Sequence, residues 1–158
     1  MNTKKGKVYK SSEIDLLIKR VKSKGRVGAW ITKCKEGRYA VIIRTLEQNN
    51  STAELHEKSD DVYYVIEGEG KIILNGTLHN PKIKAPGELI AEDIDNGDVF
   101  EIRKRDIVEI PRMTPHKVIA DGMLQYLAIK IYSGQPYVPP FVTESDESNN
   151  ITKRPQGW

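Results

Sequence analysis

Residues 54–70 read ELHEKSDDVYYVIEGEG and join a histidine in an acidic context to a β-branched and aromatic stretch. Side chains at i and i+2 of a strand share one face, so Glu54 and His56 are predicted to point the same way. After a short turn, Asp61 begins the next strand, and Tyr63 shares its face two residues later. Two neighbouring strands are therefore predicted to bring an imidazole and two carboxylates to one face of a sheet.

From residue 28 onward, the sequence around this stretch also has the composition of β-strands separated by turns. Runs of β-branched and aromatic residues alternate with turn signals such as Glu-Gly, Asn-Gly, Asn-Pro and Asp-Gly. Many short strands without a helical pattern among them indicate a sandwich or barrel rather than a parallel α/β sheet. The predicted strands are 28–34, 38–47, 53–57, 61–68, 70–76, 98–104, 106–111, 116–121 and 124–132.

The two ends of the chain differ from this central region. Apolar residues recur at helical spacing in the basic segment 1–27, which predicts one amphipathic helix at about 12–22. The tail 134–158 is rich in Pro, Ser and Asn, which predicts partial disorder. The interpretation is one barrel domain at 28–133 with a helix before it and a loose tail after it.

Length and composition exclude several classes of protein. The 158 residues suffice for one domain with a core. No window approaches the roughly 20 apolar residues of a membrane span, so we expect a cytoplasmic protein with no membrane partner. The single cysteine, Cys34, allows neither an intrachain disulfide nor a thiolate cluster. We interpret the excess of Lys and Arg at 1–26 as a solvated helix face, and expect no nucleic-acid partner.

A third strand completes the predicted site. The sequence PRMTPH places His116 at the start of a strand, after a turn that two prolines stiffen. Two imidazoles with one or two carboxylates suit Fe(II), Mn(II), Ni(II), Co(II) or Zn(II). The candidate ligands of a divalent metal are therefore His56, Asp61, His116 and Glu54.

These stretches resemble the two motifs of the cupin superfamily, whose members are small double-stranded β-helix barrels. The first motif is G-x5-H-x-H-x3,4-E-x6-G and the second is G-x5-P-x-G-x2-H-x3-N. When the second histidine of motif one is aligned with His56, its acidic ligand falls on Asp61 and its last glycine on Gly68. The histidine of motif two falls on His116. The resemblance covers about residues 40–132.

The chain also departs from both motifs. Glu54 stands where motif one has its first histidine, which leaves a more oxygen-rich ligand set. The two opening glycines and the middle glycine of motif two are replaced by Gln48, Arg105 and Met113, and Ala120 replaces the final asparagine. We expect altered turns at the glycine positions, while the ligands are retained.

The resemblance implies an all-β double-stranded β-helix, the cupin or jelly-roll barrel, with one short N-terminal helix. It also implies a homodimer formed through edge strands. The leading hypothesis is a metal-dependent enzyme, such as a dioxygenase, isomerase or lyase, acting on a small organic acid, sugar or dicarbonyl-type substrate. Tyr63 or Glu54 is nearest for proton transfer. The alternative is a non-catalytic barrel that binds or senses a small molecule, with or without metal.

Several residues also have an ordinary structural interpretation. Taken alone, His56 would be an exposed strand-end residue and His116 a turn residue. Glu54 would orient a ligand histidine instead of binding the metal, and Tyr63 would belong to the core. The segment 75–97 is interpreted as a surface loop or lid whose histidine and acids lie in solvent.

Overall fold

The protein is described from a computed structural model, which covers residues 6–32, 38–48 and 51–133. Cys34 and the tail 134–158 lie outside these residues. No helix in the described part is long and apolar enough to cross a membrane. The elements are α1 Ser11–Ser23, β1 Gly28–Thr32, β2 Tyr39–Glu47, β3 Ala53–His56, β4 Ser59–Leu74, β5 Thr77–Leu78, β6 Lys82–Ala85, β7 Glu88–Ala91, β8 Ile94–Asp95, β9 Asp98–Arg103, β10 Ile107–Ile110 and β11 His116–Tyr132.

Two long strands, β4 and β11, organise the molecule. They pair antiparallel over their whole lengths, from Leu74 with His116 to Ser59 with Tyr132. At one end of these strands, β11 also pairs with β2, and β2 pairs with β1. At the same end, β4 pairs with β10. On the other side β11 touches β3, followed by β7 and β6, and β4 pairs with β9. The predicted all-β barrel with one N-terminal helix is confirmed.

The prediction of separate strands at 61–68 and 70–76 is wrong, because β4 runs through Gly68 without a turn. A Cβ added to Gly68 would lie 1.8 Å from the Met123 carbonyl oxygen. A Cβ on Gly70 would lie 2.3 Å from that of Ile119. These glycines therefore let β11 approach closely at its irregular stretch between residues 120 and 124. The predicted strands 116–121 and 124–132 are likewise one strand, β11.

The barrel interior follows the predicted alternation. On β4 the side chains of Asp61, Tyr63 and Val65 are buried, while Tyr64 between them is exposed. Helix α1 packs outside the barrel, where Val21 contacts a small cluster that includes Ile43. The interior cluster consists of Trp30, Ala40, Ile42, Leu46, Tyr63, Val65, Ile72, Ile102, Val108, Ile110, Val118, Ala120, Leu124, Tyr126, Ala128 and Tyr132.

The segment 75–97 is not the predicted loop or lid. It contains four short strands, two of which extend the main sheet beyond β3. The hairpin between β6 and β7 turns at Pro86-Gly87, and the φ of +81° at Gly87 explains why glycine suits this position. The segment therefore forms part of the barrel wall next to the predicted site.

The turns at the replaced glycine positions keep a backbone that favours glycine. The φ angles are 46° at Gln48, 78° at Arg105 and 67° at Met113. Left-handed backbone costs a residue with a Cβ roughly 1–2 kcal/mol. The expectation of altered turns is therefore wrong: the side chains differ from the motifs, while the backbone adopts the left-handed conformation.

Replacing Arg105 by glycine is expected to stabilise the protein by about 0.5–1 kcal/mol, because the relief of left-handed strain exceeds the added chain entropy of glycine. Urea unfolding followed by circular dichroism measures the change. Arg103→Gly is the matched control, since Arg103 is an exposed residue at the end of β9 and is expected to lose stability when replaced. Equal destabilisation by both substitutions would contradict the interpretation of strain at Arg105.

Candidate metal centre

Three predicted ligands meet at one place in the barrel. Glu54 and His56 lie on β3, and His116 at the start of β11 is the register partner of Glu54. One ligand atom from each residue lies within 4.8 Å of the other two. Glu54 Oε2 is 3.7 Å from His56 Nε2 and 4.0 Å from His116 Nε2. Both histidines are buried, and the Glu54 side chain is 20% exposed, which leaves an edge of the cluster open to solvent.

The two imidazoles present unsatisfied nitrogen atoms to this cluster. Nε2 of His56 and Nε2 of His116 are buried and have no hydrogen-bond partner. The opposite nitrogen of each ring is engaged: His56 Nδ1 lies 2.5 Å from Glu88 Oε2, and His116 Nδ1 lies 3.0 Å from the Thr114 carbonyl oxygen. The carbonyl can only accept, so His116 Nδ1 carries a proton and Nε2 has a lone pair. Buried unpaired nitrogens are costly, and a metal ion would satisfy both.

The electrostatics give two ligands the protonation states that metal binding needs. Burial and the neighbouring His56 lower the pKa of His116 to about 4, so its imidazole is neutral near pH 7. Burial alone would raise the pKa of Glu54, but the nearby His56 and Lys84 lower it to about 2. Glu54 is therefore an ionised carboxylate beside neutral imidazole nitrogen. These residues fit a divalent cation with mixed nitrogen and oxygen ligands.

Glu88 is a site residue that the sequence reasoning placed in solvent. It is only 6% exposed, and it is the register partner of His56 across β3 and β7. The turn at Ala-Pro-Gly followed by ELIA could have indicated a hairpin, but not which strand it joins. A carboxylate on the far nitrogen of a ligand histidine fixes the ring and increases its basicity.

Asp61 lies beside the cluster and is engaged by other groups. Lys130 Nζ donates to its two carboxylate oxygens at 3.0 and 2.8 Å, and the Tyr63 hydroxyl donates at 3.4 Å. Burial would raise the pKa of Asp61, but Lys130 and then His56 lower it. Asp61 Oδ2 is 3.6 Å from His56 Nε2. Among the described residues, the compact ligand group consists of Glu54, His56 and His116, and direct ligation by Asp61 stays a prediction.

Tyr63, the other candidate for proton transfer, is a buried interior residue. Its ring centroid lies 6.2 Å from that of His116 and 4.8 Å from that of Tyr126. Burial and the Asp61 carboxylate raise its pKa well above the usual value, so the hydroxyl keeps its proton. His79 lies apart from this group: its side chain is 52% exposed and is ion-paired with Asp95 at 2.9 Å, as the sequence indicated for an exposed histidine.

Sequence reasoning also missed two cationic side chains, Arg44 and Lys84, whose charges act on Glu54. Arg44 lies on β2 between the interior residues Ile42 and Leu46, and it hydrogen-bonds the Tyr126 hydroxyl. Lys84 lies on β6, and burial lowers its pKa to about 8 although Glu54 favours its charge. Arg44 interrupts an otherwise apolar alternation, VIIRTL, and this interruption was the available sequence signal.

Comparison of sequences identifies no relative: no family model matches the chain, and no curated protein matches it. Solved structures share its architecture. An uncharacterised conserved protein with a double-stranded β-helix domain from Klebsiella pneumoniae is 12% identical, with a TM-score of 0.50 over 67% of this chain and 76% of that chain. The chain has the double-stranded β-helix fold.

Two further solved structures share this fold. A Bacillus halodurans protein is 16% identical, with a TM-score of 0.53 over 76% of this chain and 82% of that chain. KdgF from Halomonas sp. is 13% identical, with a TM-score of 0.50 over 68% of this chain and 78% of that chain. Identities this low establish the fold only.

Replacing Glu88 by glutamine is expected to weaken divalent-metal binding about 10- to 100-fold. The amide is similar in size but lacks the charge that holds the His56 ring and increases its basicity. Titration of metal-free protein with Zn(II) or Mn(II) against a chelating dye measures the affinity. Glu92→Gln, an exposed acid close by on the chain, is the control. Unchanged affinity in Glu88→Gln would show that the carboxylate has no role in holding the ligand.

Proposed function

We propose that the protein is a metal-dependent cupin enzyme that binds one divalent transition metal, Fe, Mn, Ni, Co or Zn, through Glu54, His56 and His116. The observation that carries the proposal is the pair of buried, unpartnered Nε2 atoms on either side of an ionised carboxylate. Three protein ligands leave coordination positions for a small molecule, as in catalytic rather than structural sites. The partly exposed edge of Glu54 gives that molecule a path from solvent.

When bound, the metal supplies Lewis-acid chemistry or a site for oxygen. The other functions come from the protein itself. Glu88 and the Thr114 carbonyl hold the two imidazole rings in place. The ring centroid of Tyr63 lies 6.2 Å from that of His116. Tyr63 is the proposed proton donor to a bound small molecule, and Glu54 is the alternative group for proton transfer. Burial and then the Asp61 carboxylate raise the pKa of Tyr63, which keeps its hydroxyl protonated.

Metal analysis of protein purified without a nickel column tests the proposal. We expect about one equivalent of a single transition metal per chain after growth with trace metals. Less than about a tenth of an equivalent, together with no thermal stabilisation by any added metal, would overturn the metal site. A turnover screen of small organic acids, sugars and dicarbonyl compounds then follows, with and without oxygen. Metal without turnover would overturn the enzyme and favour a binding or sensing barrel.

A further inference from the structure

A buried ion pair between Asp61 and Lys130 borders the metal cluster. The two residues are register partners on β4 and β11, so the backbone of the sheet fixes their separation. The Asp61 side chain is 2% exposed and the Lys130 side chain is 11% exposed. The Lys130 ammonium donates to both carboxylate oxygens, at 3.0 and 2.8 Å. Charge-assisted hydrogen bonds are roughly twice as strong as neutral ones, so this pair holds the carboxylate in one orientation.

Two hydroxyl groups complete the surroundings of the Asp61 carboxylate. Ser59 Oγ donates to Oδ1 and the Tyr63 hydroxyl donates to Oδ2, each at 3.4 Å. Each carboxylate oxygen therefore accepts hydrogen bonds from the ammonium and from one hydroxyl. The Nε2 atoms of His56 and His116, by contrast, are buried without a hydrogen-bond partner among the described residues. Asp61 is thus satisfied without a metal, whereas the two histidines are not.

The position of Asp61 beside the cluster shows what Lys130 prevents. Asp61 Oδ2 is 3.6 Å from His56 Nε2, and Glu54 Oε2 is 3.7 Å from the same nitrogen. Among the described residues, however, the compact ligand group is Glu54, His56 and His116. If Oδ2 also bound the metal, a dication and an ammonium would share one buried oxygen. Like charges at such a separation repel strongly in a protein interior, so Lys130 opposes coordination by Asp61.

We propose that Lys130 is a positioning residue that keeps the Asp61 carboxylate out of the coordination sphere, so that one position on the Tyr63 side of the metal stays open for a small molecule. The inference rests on the proposed metal site and adds where the small molecule binds. Tyr63 is the proposed proton donor, and its hydroxyl contacts the Asp61 oxygen that would otherwise fill this position. Asp61, which the sequence predicts as a ligand, becomes one only when Lys130 is removed.

Lys130→Met tests the inference, because methionine is also long and unbranched but carries no charge. Zn(II) is expected to bind about tenfold or more tightly in a dye competition, since the released Asp61 carboxylate becomes a fourth protein ligand. Water-proton relaxation of the Mn(II)-loaded protein reports the water on the metal. An octahedral ion with three protein ligands keeps about three waters, so the relaxivity is expected to fall by roughly a third in Lys130→Met. A purely structural role of Lys130 would not change the number of bound waters.

Two further variants control for charge and packing. Lys104→Met breaks an exposed ion pair with Glu67 and is expected to keep the Zn(II) affinity and the relaxivity of the unaltered protein. Asp61→Leu combined with Lys130→Met replaces the whole buried pair by apolar side chains of similar size, a change that proteins often tolerate. This double variant is expected to bind Zn(II) within about threefold of the unaltered protein and to keep its relaxivity, because it loses no ligand.

The outcomes separate this inference from the proposed function. Failure of the unaltered protein to bind Zn(II) overturns both. Unchanged relaxivity in Lys130→Met, with or without tighter Zn(II) binding, overturns the role of Lys130 and leaves the metal site standing. A loss of Zn(II) affinity of about tenfold or more in the double variant, with more water on the metal, identifies Asp61 as a ligand of the unaltered protein and also overturns the inference. If Lys130→Met does not fold, the double variant alone decides.

Discussion

Replacing His116 by alanine is expected to lower divalent-metal affinity on the order of a hundredfold or more, because it removes one of three protein ligands. Among the described residues, the only hydrogen bond lost by the substitution is the one from His116 Nδ1 to the Thr114 carbonyl oxygen. Inductively coupled plasma analysis after dialysis, and dye competition with Zn(II), measure the loss. Far-ultraviolet circular dichroism checks that the barrel is still folded.

The matched control for this substitution is His79→Ala. His79 is an exposed histidine whose ion pair with Asp95 lies at the surface, so its removal is expected to leave metal content unchanged. This control also detects metal that is held by surface histidines. Full retention of metal in the His116 variant, with or without loss in the control, would refute the centre described above.

Replacing Lys130 by methionine is expected to destabilise the metal-free protein by about 3–5 kcal/mol, the usual cost of leaving a buried charge without its partner. Asp61 is 2% exposed, and Lys130 contacts both of its carboxylate oxygens. The hydroxyl of Tyr63, at 3.4 Å, cannot replace a full charge. Urea unfolding in the presence of a chelator measures the free energy of unfolding without a contribution from metal.

Two companion variants show whether the loss comes from the buried charge. Adding Asp61→Asn to the Lys130 variant removes the stranded carboxylate and is expected to restore part of the stability. Lys104→Met breaks an exposed ion pair with Glu67 and is expected to change stability little. A large loss in Lys104→Met, or none in Lys130→Met, would contradict the distinction between the two pairs.

The ligand residues could be predicted because they depend on short-range patterns. Strand parity places Glu54 with His56 on β3 and Asp61 with Tyr63 on β4, and the structure keeps both parities. The prediction that these two strands are neighbours is wrong, because β11 pairs with each of them and lies between them. The turn of PRMTPH sets His116 at the start of its strand within a few residues. Their meeting at one place still depends on the long-range pairing of β3 with β11.

The remaining site residues depend on pairing between distant parts of the chain. Glu88 reaches His56 only because β7 pairs with β3, and Arg44 faces the interior beside Tyr126 because β2 pairs with β11. The sequence of each strand is compatible with several partners, so register is a property of the whole sheet. The end of the strand at Gly68 was predicted wrongly for a related reason. In sequence, a glycine that ends a strand looks the same as a glycine that allows close approach of a neighbouring backbone.

The continuous pairing of β4 with β11 also bears on how the protein folds. Residues 75–115 separate the two strands, so their association closes a long loop and contributes non-local contacts. Chains dominated by such contacts fold slowly, on the millisecond-to-second scale. His116 lies on β11 and Asp61 lies on β4, and Glu54 on β3 is the register partner of His116. Metal binding therefore requires that these long-range pairings of β11 have already formed.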